Sequence, residues 1–264
     1  MHPIERLRWI ALAHDEAATT LAAEAAWTIS ELAAEEPAAV VTACRRLVES
    51  HVTAGPVWWV AATLLTAADP DAAARRAVDE LLSDPTADLL AEVLNERLVP
   101  DAAVVVARPG ETALEALSQV PLAAVRLFGS APGRRAERRR LGGSARAAGG
   151  FDPEESEQAV QEAAVVLVEA LAAGRAGVVV VAGTSHLVQA ACDASVPLWA
   201  VVGAGRVLNA QLLDEMLRRA DGDVELVGPS SIEAVIGPAG LGTPAEGLGR
   251  QACPPAPELL VRAG

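Results

Sequence analysis

Residues 224–240 read Val-Glu-Leu-Val-Gly-Pro-Ser-Ser-Ile-Glu-Ala-Val-Ile-Gly-Pro-Ala-Gly. Val224–Val227 has the composition of a strand, Gly228-Pro229 makes a turn, and residues 230–236 form one short amphipathic segment. A strand that enters a Gly-Pro turn this late in a chain needs other strands to pair with, and they lie upstream.

Working back, apolar runs occur at 198–203, 178–182, 163–168, 124–128 and 102–107, with helical spacing between several of them. Valine-rich runs without alternation are expected of strands buried on both faces, and strand–helix alternation favours parallel pairing. Before Pro100 the period is helical throughout: Leu7, Ile10 and Ala11, then Leu21, Ala25, Ile29 and Leu32 recur every three or four residues. Pro37 and Pro56 stand where helices can begin. The expected fold class is α/β: an N-terminal helical bundle (1–99), then a Rossmann-like, mostly parallel doubly wound sheet (100–240). A Gly- and Pro-rich tail (241–264) is expected to be poorly ordered.

Composition narrows the function. The net charge of −14 over 264 residues argues against nucleic acid as partner. No apolar run nears the roughly 20 residues that span a bilayer, and no leader pattern opens the chain, so a cytoplasmic location with no membrane partner is expected. Cys44, Cys192 and Cys253 are too scattered for a disulfide framework or a zinc site and read as buried, inert thiols; no metal and no cofactor is expected. P-loop, GxGxxG, HExxH and GxSxG patterns are lacking, and Gly203-Ala204-Gly205 is a plain loop or a weak nucleotide signal, with Arg206 beside it able to line a cleft.

The closing stretch resembles that of the alpha, beta and delta subunits of translation initiation factor 2B and of the methylthioribose-1-phosphate and ribose-1,5-bisphosphate isomerases. Pro229, Ile232, Ala234, Val235, Ile236 and Gly240 fall on that family's apolar and turn positions, while Gly237 and Pro238 replace a Thr-Glu pair. The resemblance extends over residues 163–203. There the family's Gly-Ala-Asp falls on Glu169, Ala170 and Leu171, and its Asn-Lys on Val180 and Val181, so Gly183 and Thr184 alone survive of that motif. The isomerases' cysteine loop corresponds to Ala107–Thr112, which has no cysteine.

Proton transfer between sugar carbons needs a titratable group in reach, and leucine offers none. The resemblance therefore implies a non-catalytic, oligomeric ligand-binding or regulatory protein, pairing as a homodimer through its α/β domain, with a small phosphorylated metabolite as the ligand it would hold. The alternative is a divergent isomerase-like enzyme in which Glu169 is a relocated acid or base. Candidate ligand contacts are Gly110 and Thr112 at one helix start and Gly183, Thr184 and His186 at another. Each is either an anion cradle or an ordinary strand-to-helix turn. His51 falls where the family grips phosphate with an arginine. Arg134 and Arg135 belong to an arginine cluster over 126–146, readable as a phosphate loop or as a solvated one. Trp58 and Trp59 read as interdomain packing or, if exposed, as a partner surface.

Overall fold

A computed structural model describes residues 2–14, 16–129, 141, 145–147, 153–250 and 253–263. Six helices come first: α1 (Pro3–Leu12), α2 (Ala18–Glu35), α3 (Val40–Ser50), α4 (Gly55–Thr66), α5 (Pro70–Leu82) and α6 (Thr86–Arg97). Prolines stand in the first turn of α1, α4 and α5, where a missing N–H costs nothing, and Asp69 caps α5 by accepting the Ala72 N–H at 3.0 Å. The helix α2 packs against α1, α4 and α5 around a core that includes Ile29, Leu32, Leu47 and Trp58. The last helix departs from the bundle, since Leu90 and Leu94 of α6 join the core formed by Val104, Leu117 and Leu127.

The α/β part comprises β1 (Ala103–Ala107), α7 (Glu111–Ser118), β2 (Ala124–Phe128), β3 (Ala145–Ala147), α8 (Pro153–Gln161), β4 (Val165–Glu169), β5 (Ala172–Gly174), β6 (Gly177–Val181), α9 (Ser185–Ala194), β7 (Leu198–Val201), α10 (Ala210–Arg219), β8 (Val224–Val227), β9 (Ala234–Gly237), β10 (Gly240–Gly242) and α11 (Pro244–Leu248). Seven strands form one sheet in the order β10-β9-β7-β4-β1-β2-β3, parallel except at β10. A mostly parallel sheet behind N-terminal helices is the expected fold class.

The valine runs at β6 and β8 belong elsewhere. They form, with β5, a separate antiparallel sheet in the order β5-β6-β8. Its centre strand is buried on both sides: Val179 faces the bundle core, while Val178 and Val180 face Leu187 and Ala191 of α9. The amphipathic segment after Gly228-Pro229 is a 3-10 turn (Pro229–Ser231) followed by β9, which pairs with β7.

Poor order of the tail is corrected. Residues 240–250 add β10 and α11, and residues 253–263 lie across the bundle with Cys253, Ala256 and Leu259 buried in its core. Hydrogen bonds hold that segment to the rest of the chain, among them Arg45 Nε to Glu258 O (2.7 Å), Arg219 Nη2 to Leu259 O (2.7 Å), Asn209 Nδ2 to Pro254 O (2.8 Å) and Ala263 N to the Glu49 carboxylate (2.6 Å). Specific burial and satisfied carbonyls outweigh a composition rich in Gly and Pro.

Cys44 and Cys253 are buried, but Cys192 is exposed. Its helix buries Leu187, Val188, Ala190 and Ala191, and Cys192 follows a further 100° round, beside Gln189 and Asp193 on the wet face. Trp58 and Trp59 are both buried. Trp58 donates its Nε1–H to Val52 O (2.9 Å) beneath the Arg219 guanidinium, and Trp59 lies against Gly205 of the α/β part. Among the described residues no helix is long and apolar enough to cross a membrane.

Candidate functional site

In the large sheet β1 leads through α7 to β2 on one side, while β4 lies on the other. The crevice outside the carboxyl ends of β1 and β4 is thus the point where the chain's direction reverses, the usual ligand position in open α/β sheets. Arg108 follows β1 in a left-handed conformation (φ 41°), and its N–H donates to Phe128 O at 2.7 Å. Glu169 ends β4 in the same crevice.

A carboxylate of the chain itself fills this place. The Glu169 side chain is 4% exposed; Oε2 accepts the Ala113 N–H from the first turn of α7 at 3.0 Å, and Oε1 accepts from Arg206 Nη2 at 3.2 Å. The Arg206 side chain, 11% exposed, also donates Nη1 to Ala170 O. Free N–H groups at a helix start attract anions, and here the anion is tethered. Glycine at 110 is required by it, because a Cβ there would lie 2.3 Å from Oε1.

A second carboxylate extends the cluster. Asp84, just ahead of α6, accepts the Ala204 N–H (2.8 Å) through Oδ2 and the Thr86 N–H (3.0 Å) and hydroxyl through Oδ1. A Cβ on Gly203 would lie 2.6 Å from Asp84 Oδ2 and 3.5 Å from Arg206 Nε, so the two charged groups meet at that glycine. Arg206 Nε is buried without a hydrogen-bond partner among the described residues.

The other expected cradle is filled in the same way. Gly183 N–H and Ser185 N–H, at the start of α9, each donate to Glu225 of β8, at 2.8 Å to Oε1 and Oε2. Burial pushes the Glu225 carboxyl up, but hydrogen bonds from Gly183, Ser185 and Thr184 outweigh it and hold the group below the usual carboxylate range. The Thr184 hydroxyl is buried and donates to Val181 O at 2.7 Å, while His186 is exposed.

Gly110 and Glu169 therefore meet at the large sheet, with Thr112 in the first turn of α7, whereas Gly183, Thr184 and His186 belong to the end of the small one. His51 does not grip anions here. It is buried with Nε2 bonded to Ile10 O (2.7 Å), and burial, with a smaller push from His14, lowers its pKa against the raising effect of that bond. Leu171 is half-buried and its carbonyl accepts the Gly55 N–H (3.1 Å), which brings the loop before α4 onto the start of β5. Arg134 and Arg135 lie outside the described residues. Arg126 pairs with Glu162. Asp84 and Glu225 are missing from the sequence-derived site, although a glutamate inside the run Val-Glu-Leu-Val is the kind of signal that marks a buried partner. Among the described residues no group of three His, Cys, Asp or Glu is placed to hold a metal.

The fold defines a class: a helical N-terminal part on a parallel α/β sheet whose crevice is flanked by helix starts. Solved structures share it. The translation initiation factor eIF-2B from Pyrococcus horikoshii OT3 superposes with a TM-score of 0.71 at 16% identity, over 93% of this chain and 98% of that one. A chain of the tetrameric eIF2B-beta2-delta2 complex from C. thermophilum gives 0.71 at 17%, over 93% and 92%. The 5-methylthioribose 1-phosphate isomerase from P. horikoshii OT3 gives 0.60 at 14%, over 92% and 84%. No protein-family model and no curated protein matches the chain.

Proposed function

We propose that this protein is a non-catalytic, oligomeric scaffold or regulatory subunit built on the fold of the initiation factor 2B subunits and the sugar-phosphate isomerases. The Glu169 carboxylate supports this reading most directly. It occupies the helix start and the guanidinium that a substrate anion would need, and both its oxygens already accept hydrogen bonds. Moving a proton between sugar carbons requires a group free to take it at the substrate. By the sequence resemblance, the positions that correspond to the isomerases' Asp, Asn and Lys are Leu171, Val180 and Val181, none of which can titrate. A small phosphorylated metabolite would have to displace Glu169 or Glu225 to enter either cradle.

The test is an assay on methylthioribose 1-phosphate and ribose 1,5-bisphosphate, followed by NMR. No conversion above buffer is expected, and conversion at ordinary enzyme rates ends this reading. Light scattering at micromolar concentration is expected to give a dimer, formed through the α/β part. A monomer would remove the oligomeric half of the proposal.

One observation favours a second reading, an enzyme with a relocated acid or base. Glu169 is a buried carboxylate at the sheet's reversal point, a place where such groups act in catalysis. Under that reading Glu169→Gln abolishes any conversion seen; unchanged turnover in the variant discards it.

A further inference from the structure

A trough of about 370 Å³ runs between α1 and α3, away from the crevice. Its walls are apolar: Ile4, Leu7 and Ala11 from one helix, Ala43 and Leu47 from the other. Alanines at 11, 39 and 43 add little bulk to these walls, so space remains between the longer side chains. Its size falls within the roughly 300–1,000 Å³ typical of small-molecule sites.

Charge is the second observation. Arg8 lies one turn from Ile4 and Ala11, Arg46 lies one turn from Ala43 and Ser50, and both arginines line the trough. Neither makes an ion pair among the described residues, in a chain of net charge −14 that offers many carboxylates. Two exposed guanidiniums on the rim of one apolar slot offer their donors to an anion seated there. The trough's own carboxylate, Glu49, accepts the Ala263 N–H at 2.6 Å and is tied to the C-terminal segment. Two positive charges and one negative leave a single net positive charge, which a monoanion neutralises and a dianion overshoots.

We propose that this trough binds a small apolar carboxylic acid, with its carboxylate between Arg8 and Arg46 and its hydrocarbon body over Leu7, Ala43 and Leu47. Guanidinium forks match a planar carboxylate, and each buried methylene adds to the affinity. The site owes nothing to the reading of the crevice and stands whether or not the protein is an enzyme.

The full chain is titrated calorimetrically with octanoate, octanol and acetate. Octanoate is expected to bind about tenfold or more tighter than either control, since only it presents both head and body. Ala43→Phe, which fills the trough, is expected to lose octanoate binding at least tenfold while circular dichroism stays native. Arg8→Gln with Arg46→Gln is expected to bring octanoate down to the level of octanol; these exposed positions decide the matter if Ala43→Phe does not fold. Octanoate binding no tighter than octanol overturns the proposal, as does unchanged binding in folded Ala43→Phe. If Ala43→Phe turns an oligomer into a monomer and octanoate does not bind, the trough is a contact between copies and the proposal fails.

Discussion

Gly110 and Glu169 fit together by subtraction: the hydrogen at residue 110 leaves the room in which the Glu169 carboxylate sits, and a Cβ would lie 2.3 Å from Oε1 and 2.6 Å from Oε2. The backbone at Gly110 has φ −88°, open to any residue, so the requirement is space and not conformation. Gly110→Ala is therefore expected to cost about 1–3 kcal/mol by forcing the carboxylate off the start of α7. In a Glu169→Ala background the same change should cost close to nothing. Chemical denaturation of the four proteins measures the coupling, and equal costs in both backgrounds would show that residue 110 does not press on Glu169.

Arg206→Met leaves the Glu169 carboxyl without its guanidinium partner in a site almost closed to water. Breaking such a pair by removing one partner typically costs about 3–5 kcal/mol, whereas replacing both partners costs far less. Denaturation midpoints should accordingly place Glu169→Gln/Arg206→Met above Arg206→Met alone. A double variant that is less stable than the single one would mean that Arg206 acts mainly through its bond to Ala170 O.

How legible this site was depends on which link is asked about. Leu21, Ala25, Ile29 and Leu32 repeat a period that long helices cannot hide, so the bundle could be read directly. Val178–Val181 could be read as a strand but not assigned to a sheet, because a run buried on both faces looks alike in parallel and antiparallel company. Ile232–Ile236 is too short to separate the helical period from the strand period, and β9 was missed for that reason. Gly110 before a helix and Glu169 at a strand end are each visible in the sequence. Their meeting, and that of Glu169 with Arg206 37 residues further on, exists only in the folded chain.

Glu225 gives a prediction in pH. Its folded pKa lies below the ordinary 4.5, so the stability it contributes is present above that value and is lost as pH falls through the lower, folded one. Glu162 and Glu246 are held low as well, by Arg126 and by Thr243, and add to the same acid loss, so the comparison must be between proteins. Glu225→Gln should be less stable than the parent at neutral pH, and the gap should close in acid below the folded pKa of Glu225, where both side chains are uncharged. Denaturation curves at the two pH values check this; a gap that persists in acid would assign the effect to shape and not to charge.

The three thiols should separate by reactivity. Burial pushes Cys44 up to about 12 and Cys253 up to about 11, while Cys192 is exposed on α9. Because the thiolate is the reacting form, a chromogenic disulfide at mildly alkaline pH should label one cysteine quickly and the other two only on unfolding. Cys192→Ser should abolish the fast phase.

Cys253 also reports on the C-terminal segment. Leu259 is fully buried, its carbonyl accepts from Arg219, and the Arg219 guanidinium lies 5.1 Å above the Trp58 ring, so one short stretch of chain joins α3, α4 and α10. Leu259→Ala removes the anchor and is expected to cost about 2–5 kcal/mol, as for other large-to-small changes in cores. The route of that loss distinguishes two cases. If the segment detaches as a unit, labelling of Cys253 accelerates and Trp58 fluorescence shifts before the helices melt. If it is an integral part of the bundle, Cys253 becomes reactive only with global unfolding, in step with loss of helical circular dichroism. The hydrogen bonds to Arg45, Asn209 and Glu49 tie the segment at points on both sides of Leu259, so the second outcome is expected.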